Sequence, residues 1–303
     1  MAQAAQAAAA AIVNATAMGG EFDVGQYEHL NKLQEIKKKP VSGGTELRIA
    51  VPQDAREDCV VKVYPQVPDT PATAEVFGQE LVMGQEYRLP PGSQIAVFTW
   101  HGFHAEIKGN SRVYDGSNAS IRDYINAAAI LEQRRVRAED LGLPAPVVLV
   151  TGGRSQGKSS FAQMLCNLAI RKGRTPTFVE LDPRGASWTR QIPTLPGCIS
   201  ATSLDFTNYT FNEEPFPISK MANEGDVLQS ATSLPGRSVS LYYGYREANA
   251  QPRVYQRLVA QLSCLVDAKL QHARAVAGGT ALTASNATSA EKKIACSGVI
   301  VHG

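Results

Sequence analysis

The stretch VVLVTGGRSQGKSSFAQML, residues 147–165, decides how this chain folds. Its first part, with the preceding proline, is a continuous run of apolar and β-branched residues, the composition of a strand buried on both faces. Its last part places Phe161 and Leu165, with Leu168 beyond, at the i, i+4, i+7 recurrence of an amphipathic helix. Between them Gly152, Gly153, Arg154, Ser155, Gln156, Gly157, Lys158 and Ser159 fit G-x-x-x-x-G-K-[ST] in full, and Ser160 follows. At ordinary residue usage such a match arises roughly once in a hundred chains of this length. The strand before it and the helix after it are the context that gives it meaning. The glycines let backbone N–H groups turn inward around a β-phosphate at the positive end of the helix dipole. Lys158 reaches the β- and γ-phosphate oxygens, and the Ser159 hydroxyl can ligate Mg²⁺. ATP and Mg²⁺ are the expected cofactors. Whether phosphate is transferred or only held is left open by the loop itself.

Downstream the pattern stays α/β. TPTFVELD (residues 175–182) predicts a second strand with Asp182 at its C-terminal tip, where open α/β sheets place ligand-facing residues. Asp182 could hold a Mg²⁺ water, take a proton from an attacking hydroxyl, or simply cap the turn before Pro183. Arg184 and Arg190 could meet phosphate or solvent. SVSLYYG (238–244) predicts a third strand, with Tyr242, Tyr243 and Tyr245 available either for packing or for stacking on a base. Residues 254–277 predict a long amphipathic helix, 280–293 a polar loop, and SGVIVHG (297–303) a further buried strand. A parallel sheet normally has more strands and a covering helix after each. The expectation is therefore a P-loop NTPase domain over 146–303 with an incomplete parallel sheet, in a chain that is part of something longer.

Upstream, TELRIAV, CVVKVYP, AEVFGQEL, EYRLP, QIAVFTW and HAEIKGN follow one another with Pro or Gly between most of them. Their period-2 alternation predicts a small antiparallel β domain, sandwich or barrel, over 44–118. His101 and His104 lie in it without a third metal ligand in evidence, which favours strand packing or surface. Residues 119–145 predict a connecting helix and linker, docking through its first half by Ile121, Tyr124, Ile125, Ala128, Ile130 and Leu131 and stopped by Gly142 and Pro144. The alanine-rich residues 1–43 read as a low-complexity, disordered leader without the charged start of a secretory signal. The 303 residues carry a net charge of +2, so nucleic acid or membrane binding would need a local patch. No apolar run is long enough to suggest a membrane span. Five cysteines with no CxxC suit a reducing compartment.

In their order, AEVFGQEL, QIAVFTWHGFHAEIKG, the phosphate loop, RTPTFVELD and PGCISAT resemble the ATP-binding subunit of the eukaryotic pre-mRNA cleavage and polyadenylation machinery, in the polynucleotide 5′-hydroxyl-kinase family. The resemblance implies an N-terminal β domain, a central P-loop domain and a small C-terminal domain, of which the third is absent here. It implies that Glu46 and Phe77 contact the nucleotide base. It also implies that Lys158, Ser159 and Asp182 stand at the phosphate, Mg²⁺ and hydroxyl-activating positions, with Lys158 and Asp182 as the catalytic candidates and Ser159 and Asp182 as the metal candidates. A nuclear location follows from it, as do other cleavage-factor subunits as partners, especially the one that contacts RNA polymerase II, and RNA. The departures weigh against transfer. Active members carry D-x-G-Q where this chain has Asp182-Pro183-Arg184-Gly185, and G-S-T-x-P where it has Gly-Tyr-Arg-Glu-Ala from Gly244. The last strand ends in Val301-His302-Gly303 where the family has Asp or Asn followed by Thr. Asp-Pro and PGCISAT resemble the fungal-type members, which hold ATP without turning it over. Two functions stand: an ATP-binding scaffold of mRNA 3′-end formation, or an ATP-dependent RNA 5′-hydroxyl kinase.

Overall fold

In the computed structural model, residues 36–68, 70–116, 119–153, 156–184, 195–204, 238–277 and 295–303 are described. Among the described residues the N-terminal part has nine short strands: β1 (Ile36–Val41), β2 (Glu46–Ala50), β3 (Cys59–Tyr64), β4 (Glu75–Val76), β5 (Gln79–Glu80), β6 (Glu86–Leu89), β7 (Gln94–Phe98), β8 (Phe103–Lys108) and β9 (Arg112–Gly116). They form two antiparallel sheets, in the orders β1-β8-β3-β6 and β5-β4-β7-β2-β9. The period-2 pattern works as it should. In β3 Cys59, Val61 and Val63 are buried while Val60, Lys62 and Tyr64 are partly open. These inward residues meet Leu47, Ile49, Val97, Phe103 and Ile107 in one core, which makes the unit a sandwich.

Two of the nine strands escaped the sequence reading. β1 falls inside the span read as a disordered leader, yet it pairs with β8 from Ile36↔Lys108 to Val41↔Phe103. It is an edge strand with only Val41 buried, and its lysines and proline are what an exposed edge carries. β9 buries none of its residues and so shows no alternation. The first part of that leader, residues 1–35, lies outside the described residues.

The second part begins with α1 (Ala119–Leu141), β10 (Val147–Val150), α2 (Lys158–Arg171), β11 (Thr177–Glu180) and β12 (Cys198–Ser203). It continues with β13 (Ser238–Tyr242), α3 (Pro252–Ala277) and β14 (Val299–His302). The sheet order is β10-β14-β11-β12-β13. β10, β14 and β11 run parallel, but β12 pairs antiparallel with β11 and β13 antiparallel with β12, so the sheet is mixed, not an incomplete parallel one. PGCISAT supplies most of β12, whose small polar residues gave no strand signal. β14 lies between β10 and β11 and is nearly all buried, as its VIVH composition requires.

Helices α1 and α2 cover one face through Leu131, Ala162, Leu165, Cys166 and Ile170 against Val150, Phe178 and Ile300. α3 covers the other through Leu262 and Leu270 against Val179, Ile199, Ala201 and Val299. β10 departs from the expectation of burial on both faces. It is an edge strand in the described sheet, with Val147 65% and Leu149 61% exposed. α1 also docks over more of its length than its apolar pattern suggested, and Ile130 points outward. In its second half, buried Arg135 donates from Nε to the Ser297 carbonyl at 2.8 Å and pairs with Glu132. Burial pushes the Arg135 pKa down, against the pull of Glu132. The five cysteines are all free thiols.

Gly298, the turn into β14, has φ 83, and a Cβ there would lie 2.3 Å from the Pro146 carbonyl oxygen. That oxygen accepts the Val299 N–H, the bond that starts the β10–β14 ladder. Gly298→Ala is expected to destabilise the protein by more than about 1 kcal/mol, read as a lower urea midpoint at unchanged slope.

Candidate nucleotide-binding site

The loop leaves β10 at Val150 and enters α2 at Lys158, with Arg154 and Ser155 outside the described residues. Gly157 caps the helix in the left-handed region at φ 80 and uses no side chain to do so. The first amides of α2 therefore face the loop without intrahelical carbonyl partners, at the positive end of the dipole. Lys158 folds back over the cradle, its Nζ donating to the Gly152 and Gly153 carbonyls at 2.9 and 3.1 Å. An ammonium held at the mouth of an amide-lined loop is a phosphate-binding arrangement. Tyr124 of α1 also reaches this loop: its hydroxyl would lie 3.8 Å from a Cβ on Gly157, and its ring packs on Phe161.

Ser159, the next residue of α2, has its hydroxyl 3.1 Å from Nε2 of His302, at the end of β14. Nδ1 of His302 is 2.7 Å from Oε1 of Glu180, at the end of β11. In the sequence His302 stands out only as a departure from the family pattern, and Glu180 does not stand out at all. Both are polar residues at the C-terminal ends of buried parallel strands, which is where they could have been looked for. Asp182 lies just past β11, and its N–H donates to Glu180 Oε1 at 2.9 Å. Its own Oδ1 accepts the Arg184 N–H and Nε–H at 3.1 and 3.0 Å. Arg190 lies outside the described residues.

The base-contact candidates lie in the sandwich. Glu46, buried on β2, accepts from Arg48 Nε at 2.7 Å and pairs across the ladder with Phe98. Phe98 in turn packs with Ile121 of α1 and Met164 of α2. Phe77 occupies the β4–β5 turn with φ 50, a conformation rare for an aromatic residue. Its carbonyl accepts from Asn167 Nδ2 at 2.8 Å, and the Gly78 carbonyl accepts from Arg171 Nη1 at 2.8 Å. Asn167 and Arg171 both belong to α2, so the helix that presents the phosphate loop also grips the sandwich turn. Asn167 is fully buried among apolar neighbours, the signal that could have singled it out.

Just past β13 Tyr243 is packed, its hydroxyl accepting the Gln251 N–H at 2.8 Å. Tyr242 is 77% and Tyr245 46% exposed, so packing accounts for one of the three tyrosines and leaves two open. His101 is exposed and contacts Thr73, and His104 lies on β8. Among the described residues no group of three or more His, Cys, Asp or Glu could hold a metal ion, and no helix is long and apolar enough to cross a membrane.

Asn167→Ala would leave the Phe77 carbonyl without that donor, at a cost of about 1–3 kcal/mol in urea denaturation. Glu75→Gln at the same joint is expected to behave oppositely. Burial raises the Glu75 pKa above its ordinary 4.5, and Arg171, 3.8 Å away, only partly offsets this. A carboxyl raised on folding contributes stability below its unfolded pKa and loses it as pH rises through the folded one. At neutral pH Glu75→Gln should therefore leave the urea midpoint unchanged or higher.

Residues 41–138 match the family model described as the N-terminal beta-sandwich domain of polyadenylation factor, and residues 152–283 match that of the mRNA cleavage and polyadenylation factor CLP1 P-loop. The polyribonucleotide 5′-hydroxyl-kinase Clp1 of Xenopus tropicalis is 36% identical over 172 residues, covering 56% of this chain and 36% of that protein. The human protein of the same name is 34% identical over 170 residues, covering 56% of this chain and 37% of its own length. The CLP1 homolog of Nematostella vectensis is 38% identical over 157 residues, covering 50% and 34%. The aligned part of this chain thus spans little more than a third of these relatives. A solved Clp1p–Pcf11p complex matches with a TM-score of 0.60 at 21% identity, over 89% of this chain and 54% of the other. A second, described by an extended interface between the two proteins and by ATP loss in a glycine-to-arginine mutant, matches at 0.59 and 19% over 89% and 55%. At such identity the likeness speaks for the fold alone. The two family models together match most of the chain and name one factor: the chain belongs to the family of the mRNA cleavage and polyadenylation factor CLP1.

Proposed function

We propose that this chain is an ATP-binding component of the mRNA 3′-end cleavage and polyadenylation complex in the nucleus. It holds ATP–Mg²⁺ as a structural ligand and docks another cleavage-factor subunit, the one that contacts RNA polymerase II. The observation that carries this reading is the double use of α2, which presents Lys158 and Ser159 at one end and holds the Phe77–Gly78 turn by Asn167 and Arg171 farther along. A nucleotide bound at the first end braces the joint between sandwich and sheet. Gly152, Gly153, Arg154, Ser155, Gln156, Gly157 and Ser160 would surround the phosphates, with Glu46 and Phe77 on the base. The neighbours are solved with Pcf11p, and one is described by ATP loss in a point mutant, which supports a cleavage-factor partner and the binding of ATP.

Mg²⁺ fits the donor set. It demands hard oxygen ligands and keeps several waters, so it needs no all-protein cage. Ser159 would supply one oxygen, the phosphates and water the others, with Asp182 behind a water. When bound, the ion offsets phosphate charge. Lys158 adds a fixed cation, and the α2 amides add oriented N–H donors.

The second reading is an RNA 5′-hydroxyl kinase, which the names of the vertebrate relatives favour. There Asp182 would take the proton of the 5′-hydroxyl while Lys158 steadies the transferring phosphoryl. Against it, Asp182 is already engaged by Arg184.

A single-turnover assay with labelled ATP and a 5′-hydroxyl RNA, run beside filter binding of ATP, separates the two. The expected result is tight ATP binding without transfer, weakened roughly tenfold or more in Lys158→Ala, as loss of a charge-assisted contact implies. Robust transfer that disappears in Lys158→Ala would overturn the scaffold reading in favour of the kinase. With ATP at a hundredfold excess over Kd, linkage predicts about 2.7 kcal/mol of added stability, read as a raised Tm.

A further inference from the structure

Glu180 and His302 form a buried pair that phosphate binding by the loop does not itself require. Glu180 is 0% and His302 2% exposed, and they are register partners on the adjacent parallel strands β11 and β14. With the Glu180 carboxylate as acceptor, the 2.7 Å contact assigns the hydrogen to Nδ1 of His302. In the neutral imidazole Nε2 then presents a lone pair, and the Ser159 hydroxyl, 3.1 Å away, donates to it. The strands hold both partners rigidly, so the direction of the Ser159 O–H is set by the sheet and not by the loop. With its hydrogen turned toward His302, the oxygen lone pairs of Ser159 are left for a cation.

We propose that the Glu180–His302 pair is a positioning device that orients the Ser159 hydroxyl as a metal ligand and so sets the Mg²⁺-dependent share of nucleotide affinity. The proposal rests on the nucleotide reading of the loop. Without the imidazole acceptor, the Ser159 hydrogen is free to rotate toward a phosphate oxygen and to point away from any ligand-ready geometry. The pair acts through Ser159 and touches neither phosphate nor metal. Partners that orient a metal ligand in this way are commonly worth about 10–100-fold in metal affinity.

The test is calorimetric titration of ATP into the protein in Mg²⁺ and, separately, in EDTA, for wild type, Ser159→Ala, His302→Asn and His302→Gln. Asn keeps a donor near Nδ1 for Glu180 but cannot reach Ser159, whereas the longer Gln can place an oxygen near Nε2. His302→Asn is expected to lower the Mg²⁺ enhancement of ATP affinity by about tenfold, toward that of Ser159→Ala, with affinity in EDTA unchanged. His302→Gln is expected to restore most of the enhancement, and Ser159→Ala combined with His302→Asn should lose no more than Ser159→Ala alone. The proposal is overturned if His302→Asn keeps the wild-type enhancement, if Asn and Gln behave alike, or if affinity in EDTA falls equally. Wild-type protein that binds no ATP in either buffer would instead refute the nucleotide reading, and this proposal with it.

Discussion

Asn167 donating to the carbonyl of Phe77 is the contact on which the rest of the molecule leans. It joins α2 to a turn of the sandwich that is held in the left-handed region, where a non-glycine residue costs on the order of 1–3 kcal/mol. Such a conformation persists only when its surroundings hold it. Here Asn167 and Arg171 hold two successive carbonyls, and Met164 and Leu168 lie beneath Gly78. The same helix begins at the phosphate loop less than three turns away. A ligand that orders the first turn of α2 therefore acts on a rod whose second half already fastens the other domain. That geometry needs no turnover to have a consequence.

The loop is also tied inward, to the centre of the sheet. β14 lies between β10 and β11, so its last residues meet the tips of both. Ser159, His302 and Glu180 then form a line from the first turn of α2 across two strands, with the Asp182 N–H added at the far end. α1 completes the frame from the side. Arg135 bonds to the segment before β14, and Glu132 and Glu139 hold Arg174 just before β11. The first set ties the start of α2 to the C-terminal ends of the strands, and the second fastens α1 at their N-terminal ends. A cradle so constrained favours holding a nucleotide in one place.

Much of this was legible in the sequence wherever a local pattern and its structural cause coincide. The strand–loop–helix from Val147 to Leu165, the alternating strands of the sandwich and the amphipathic α3 all announce themselves, because burial on one face imposes a period. What escaped was written at edges. β1 and β9 bury almost nothing on their own account, and β10 looked two-sided because its exposed Val147 and Leu149 are as apolar as its buried Val150. β12 was hidden by small residues whose strand identity comes from pairing with β11 and β13. The site was legible in its phosphate-binding residues and opaque in its supports. Glu180, His302, Asn167 and Arg171 are brought to the loop and to the joint by long-range packing, and no spacing rule links positions 90 to 143 residues apart.

The central claim is that nucleotide on the loop stiffens the joint between sandwich and sheet through α2. Amide hydrogen exchange with and without ATP–Mg²⁺ tests it directly. The expected result is slower exchange both at the first turn of α2 and in the β4–β5 turn around Phe77 and Gly78, with the Phe77 effect lost in Asn167→Ala. Protection confined to the loop, with the sandwich turn exchanging at the same rate in both states, would contradict it.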